Sequence, residues 1–144
     1  MRYADWETRL GGFLGKCRSV PFAYGKHDCC TFASGAVLAM TGVDAMAEFR
    51  GRYRSMAGSV RALRRIGKGT LAATLDAKFE AVEPAFAHRG DLVMADDGQW
   101  VDGRCGGALC VSFGAFAIGV GSEGQHEGLV KVDRRHWQRA WRVA

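Results

Sequence analysis

The sequence predicts an α+β fold in which N-terminal helices precede a C-terminal antiparallel sheet. Two observations carry this. Up to Phe79 the apolar residues recur three or four positions apart, the period of a helix face. After Pro84 they fall into short runs broken by glycine, the texture of strands and tight turns. At 144 residues the chain has the size of a single domain, 1–144, built on one core. The stretch Pro21-Phe22-Ala23-Tyr24-Gly25-Lys26-His27-Asp28-Cys29-Cys30-Thr31-Phe32 organises it, because a glycine-containing loop there runs directly into a helix.

Asp5 stands as N-cap to a first helix with Trp6, Leu10, Phe13 and Leu14 on one face. Gly11 and Gly12 inside it either weaken it or let another element approach closely. Asp28 caps the second helix, which places Phe32, Ala33, Ala36, Val37 and Met40 on one face and stops at Gly42. A short helical turn over 44–49 follows. Ser55 opens a third helix with Met56, Val60, Leu63 and Ile66 inward and Arg61, Arg64 and Arg65 outward. Thr70 opens a fourth, with Leu71, Leu75 and Phe79 one turn apart. Leu92–Ala95 reads as a strand, Asp96-Asp97-Gly98 as a turn and Trp100-Val101 as the return of that hairpin. Further strands are expected over 108–113, 115–120 and 129–132. Trp137 and Trp141 end the chain, either as core anchors or as contact points for a partner. The cysteine-bearing helix is expected to pack on strands 92–95 and 108–113, burying Phe32 and Val37.

The five cysteines are an odd number, and two of them are adjacent, which argues against a disulfide framework and for synthesis in a reducing cytoplasm. Cys17, Cys29, Cys30, Cys105 and Cys110 contain no Cys-x-x-Cys pair, so neither a metal nor a cofactor is read from them. No apolar run reaches the length of a membrane span, and the first residues lack the apolar stretch of a signal peptide. The net charge of +5 and pI near 9.2 allow anionic partners without specifying nucleic acid. Between Arg50 and Lys68 there are seven basic residues and no acidic one. That is either a solvated helix face or a patch for an anionic neighbour such as a protein surface, DNA or a charged glycan. No aromatic interleaving there supports single-strand binding.

Cys29 falls at the first turn of the second helix, where unpaired N–H groups and the positive end of the helix dipole favour a thiolate. That position suits a nucleophile; a small apolar residue packing the helix start is the alternative. A cysteine nucleophile needs a base within hydrogen-bond reach. Of the four histidines, His27 and His126 are the candidate bases. His27 lies two positions before Cys29, and His126 lies in the glycine-rich loop 121–128. His88 reads as a turn residue and His136 as a surface one.

Phe22-Ala23-Tyr24-Gly25 leading to Asp28-Cys29, followed much later by Arg89-Gly90-Asp91-Leu92-Val93, resembles the NlpC-type papain-like domain, the circularly permuted cysteine peptidase fold of bacterial and phage cell-wall hydrolases. The resemblance implies a papain-like fold with Cys29 as nucleophile and a histidine at the start of the strand after the Gly-Asp element. On that alignment Ala108 occupies the histidine position, and Cys30-Thr31 replaces the usual Ser-Gly. It also implies a place among compact NlpC-like domains of phage tails and gene-transfer agents. The expectation is therefore a tail-tip or tail-assembly component of a virion, made in the host cytoplasm, with peptidase activity lost or weak. Its partners would be other tail-tip and hub proteins and bacterial peptidoglycan. The alternative is an active cysteine endopeptidase that cleaves peptidoglycan stem peptides during cell penetration.

Overall fold

The computed structural model describes residues 1–95, 100–101, 104–105, 108–120 and 128–144 of the chain. The turn expected at Asp96-Asp97-Gly98 and the loop carrying His126 lie outside the described residues. Four helices come first: α1 (Trp6–Cys17), α2 (Cys29–Thr41), α3 (Met56–Arg65) and α4 (Leu71–Lys78). The strands are β1 (Glu80–Val82), β2 (Leu92–Ala95), β3 (Trp100–Val101), β4 (Arg104–Cys105), β5 (Ala108–Ser112), β6 (Phe116–Val120), β7 (Leu129–Asp133) and β8 (Trp137–Arg142). Six of them form one antiparallel sheet in the order β1-β8-β2-β5-β6-β7, and β3 pairs with β4 in a separate ribbon. The fold is the α+β arrangement expected from the sequence.

Capping chemistry sets the helix starts. Ser55 accepts a hydrogen bond from Gly58 N–H and Thr70 accepts one from Ala73 N–H. Asp5 departs from the expected role: its carboxylate makes no cap hydrogen bond and instead receives Arg9 Nε at 2.8 Å, one turn along. The close approach expected at Gly11 or Gly12 is also elsewhere, since a Cβ at either would meet nothing within 4 Å. It occurs at Gly35 of α2, where a Cβ would collide with the Phe13 ring of α1. Phe13 in turn packs on Phe32, ring centroids 5.6 Å apart.

α1 packs against α2, and α2 lies across β5 and β6. The expected platform was β2 with β5. Leu92 of β2 still reaches the same core, which gathers Leu10, Phe32, Ala36, Val37, Met40, Leu109, Val111 and Trp141. Strand alternation sends Val93, Ala95, Cys110 and Ala117 to the opposite face, into a smaller cluster with Trp137 and Ala140. Trp137 and Trp141 are thus core residues and not partner contacts; Trp141 is fully buried and its indole N–H donates to Asp76 Oδ1 at 2.8 Å. Ile66, expected inward, is exposed, because α3 ends one residue before it.

The Gly-Asp element holds the domain together at one point. Gly90 has φ 89°, a left-handed conformation that favours glycine. Asp91, which has no solvent exposure, accepts hydrogen bonds from Arg2 Nη2 at 2.9 Å, Val143 N–H at 3.0 Å and His88 N–H at 2.8 Å. Arg142 Nε stands 3.5 Å away, at ion-pair distance. One carboxylate therefore ties both ends of the described chain to the start of β2. Among the described residues no helix is long and apolar enough to cross a membrane.

Candidate functional site

Asp28 builds the site around Cys29. Its backbone is extended at φ −120°, and its Oδ1 accepts Thr31 N–H at 2.8 Å while its own N–H donates to Thr31 Oγ1 at 2.7 Å. This reciprocal capping box satisfies two donors at the helix start. The second carboxylate oxygen accepts Gly25 N–H at 2.8 Å and the Tyr53 hydroxyl at 2.6 Å. Gly25 itself has φ 81°, and a Cβ there would collide with the Tyr53 carbonyl oxygen. Asp28 is buried and engaged on both oxygens, so it positions the loop and has no free lone pair directed at a substrate. Burial and donation to Asp28 push the Tyr53 phenol far above its ordinary range, which keeps it a donor.

The Cys29 thiol, half-buried, lies against the start of β5. The contact with the Cys30 thiol, and hydrogen bonds from the backbone N–H groups of Leu109 and Cys30, lower its pKa below the ordinary thiol value against the opposing effect of burial. The two sulfurs are 4.0 Å apart. The Cys30 thiol is pushed well up by that same hydrogen bond and by burial. Its side chain packs on the cluster of Met46, Phe49, Tyr53 and Ala62. The pair thus divides into a thiol disposed to ionise and one held neutral. Tyr24 borders the first: burial, then the negative charge available to Cys29 and Asp28, raises its phenol pKa.

No described base faces this thiol. His27 is buried beside Asp28, but its backbone closes a tight bridge with Ala23 and its ring stands edge-on to Phe32, centroids 6.3 Å apart. Its Nε2 is buried without a hydrogen-bond partner, and burial lowers its pKa, so it is held neutral. It makes no hydrogen bond to Cys29. His136 is exposed, as expected; His88, also exposed, opens the turn expected of it, its carbonyl accepting Asp91 N–H at 3.0 Å; and His126 lies outside the described residues. The Ala108 side chain packs with the cluster on the far face of the sheet, while Leu109 shares the core cluster that Cys29 packs against. The strand residues beside the thiol are therefore an alanine turned away and a leucine.

Tyr53 and Tyr24 were not assigned roles from the sequence. Tyr53 is a lone aromatic among Arg50, Arg52 and Arg54, and its hydrogen bond spans 25 positions, a pairing that local pattern does not reveal. Among the described residues no group of three or more His, Cys, Asp or Glu side chains gathers closely enough to hold a metal ion. A cavity lined by Val37, Thr41, Phe79 and Val143 lies away from Cys29.

Fold and site together define a small α+β domain with a cysteine at a capped, buried helix start beside an antiparallel strand. The chain belongs to the family described as a domain of unknown function, DUF6950, whose model matches residues 1–143. No curated protein matches the sequence.

Proposed function

We propose that this chain is a tail-tip or tail-assembly component of a phage or phage-like particle, with a papain-like fold and peptidase activity lost or weak. The observation that carries the reading is the mismatch at Cys29. The thiol has the helix start and hydrogen-bond donors that favour ionisation, yet at the start of the strand beside it Leu109 shares its cluster and Ala108 turns to the far face, and neither side chain has a proton to give. Amide cleavage needs a group that protonates the leaving amine as well as a nucleophile. Among the described residues no such group faces the thiol, and a nucleophile position kept without one fits a part retained for its contacts with other tail-tip and hub proteins.

The alternative, a cysteine endopeptidase acting on peptidoglycan stem peptides, is favoured by the lowered Cys29 pKa alone. Particle assembly separates the two. Deleting the reading frame should give defective tails, and a Cys29→Ala copy supplied in trans should restore infectious titre to near that of the wild-type copy. A Cys29→Ala copy that assembles into particles without restoring titre would favour the enzyme. Normal, infectious particles from the deletion strain would remove the tail-component reading altogether.

A further inference from the structure

The basic stretch has a consequence independent of any chemistry at Cys29. Arg52, Arg54, Arg61, Arg64, Arg65 and Lys68 are all exposed. Of the seven cations in the stretch only Arg50 has an ion-pair partner among the described residues, Asp44. Arg61, Arg64 and Arg65 stand at i, i+3 and i+4 of α3, so they share one face over about 6 Å of helix axis, and Lys68 follows in the turn just past the helix end. Their spacing of one turn, about 5.4 Å, lets flexible side chains follow charges that repeat every few ångström along a duplex.

Three features narrow the partner. An acidic protein would be met by a patch with an apolar or aromatic centre, since charged residues are depleted at interface cores. Here the exposed large apolar residue within the stretch is Ile66, and Tyr53 is buried with its hydroxyl on Asp28. A lipid surface would need a free apolar helix face. The apolar side of α3 is already used: Ala62 is buried and Leu63 packs with it against Phe49 and Tyr53. Stacking on single-stranded bases needs exposed aromatics, which this face lacks. What remains is a linear polyanion contacted through its backbone charges.

We propose that the Arg61, Arg64 and Arg65 face of α3, with Lys68 just past its end and Arg52 and Arg54 before its start, docks the phosphate backbone of duplex DNA without reading its sequence. The test uses the full chain and a short fluorescent duplex of random sequence, with anisotropy followed as salt is raised. About four phosphate contacts predict a slope of log K against log salt near −3.6, hence roughly a 100-fold loss of affinity between about 50 and 200 mM. Arg61→Glu/Arg64→Glu/Arg65→Glu should weaken binding by at least about tenfold at the low-salt end and flatten that slope by about 3. A control with the same change in net charge, Lys16→Glu/Arg18→Glu/Arg135→Glu, should retain binding to within about threefold, because these exposed cations stand on α1, just after it and just before β8, outside the α3 stretch. The corresponding glutamine triple at 61, 64 and 65 gives a second reading should the reversal disturb folding. Absence of duplex binding by the wild type at about 50 mM salt would overturn the proposal. So would an equal loss in the control, which would leave only bulk charge. Competition by polyglutamate as effective as by unlabelled duplex would overturn it in favour of an acidic protein, and retention on anionic vesicles but not duplex would do so in favour of a membrane surface.

Discussion

Asp91→Ala is expected to remove about 3–5 kcal/mol of stability, a large share of the roughly 5–15 kcal/mol available to a domain. The physical reason is the number of partners left behind. Arg2 loses its carboxylate at 2.9 Å and Arg142 its ion-pair partner at 3.5 Å. The N–H groups of His88 and Val143 lose their acceptor. Each unsatisfied buried donor costs about 1–3 kcal/mol. Asp91→Asn retains an acceptor oxygen in the same volume, so its loss should be smaller. Urea denaturation of the two variants checks the argument. Equal midpoints for Asp91→Ala and the wild type would mean that the carboxylate does not join the chain ends to β2.

The second large effect is at Asp28. Asp28→Ala deletes the cap of α2 and leaves the Tyr53 hydroxyl and Gly25 N–H without their acceptor. Loss of a cap costs about 1 kcal/mol and each stranded donor about 1–3 kcal/mol, giving roughly 3–7 kcal/mol together. Tyr53→Phe removes only one of these hydrogen bonds and should cost about 1 kcal/mol. In the double variant the two losses should not add, because they share one interaction. Strict additivity in thermal or urea unfolding would show that Tyr53 does not support the Cys29 loop.

These two carboxylates also mark what the sequence could reveal. The start and stop of α2 were legible because caps are local: Asp28 and Gly42 lie within one turn of the residues that they satisfy. The role of Asp28 toward Tyr53, and of Asp91 toward Arg2 and Val143, was not, since those partners lie 25 to 89 positions away. β8 escaped assignment because Arg139 and Arg142 interrupt its apolar pattern. Its charges are accommodated at Asp76 and Asp91, and the strand sits between β1 and β2. β1 has three residues, too few to show alternation. At the site, the position of Cys29 was legible from helix signals. Which strand residue shares its cluster was not: a one-residue change of register exchanges the faces of a strand, and the fold puts Leu109 in the cluster that Cys29 joins and Ala108 in the one on the far face.

The claim that Cys29 retains a nucleophile's setting without a peptidase's proton transfer has a direct measurement. Wild-type protein and Cys29→Ala are incubated with wall fragments of the host while newly exposed amino groups are followed, and a parallel sample is treated with iodoacetamide and mapped by mass spectrometry. Alkylation should occur at Cys29 with a pH midpoint below the ordinary thiol range, and at Cys30 only at higher pH, in keeping with the opposite directions of their shifts. Wall fragments should release no more amino groups with the wild type than with Cys29→Ala. Robust release by the wild type, abolished in Cys29→Ala, would contradict the account and direct the search for a base to His27 and His126.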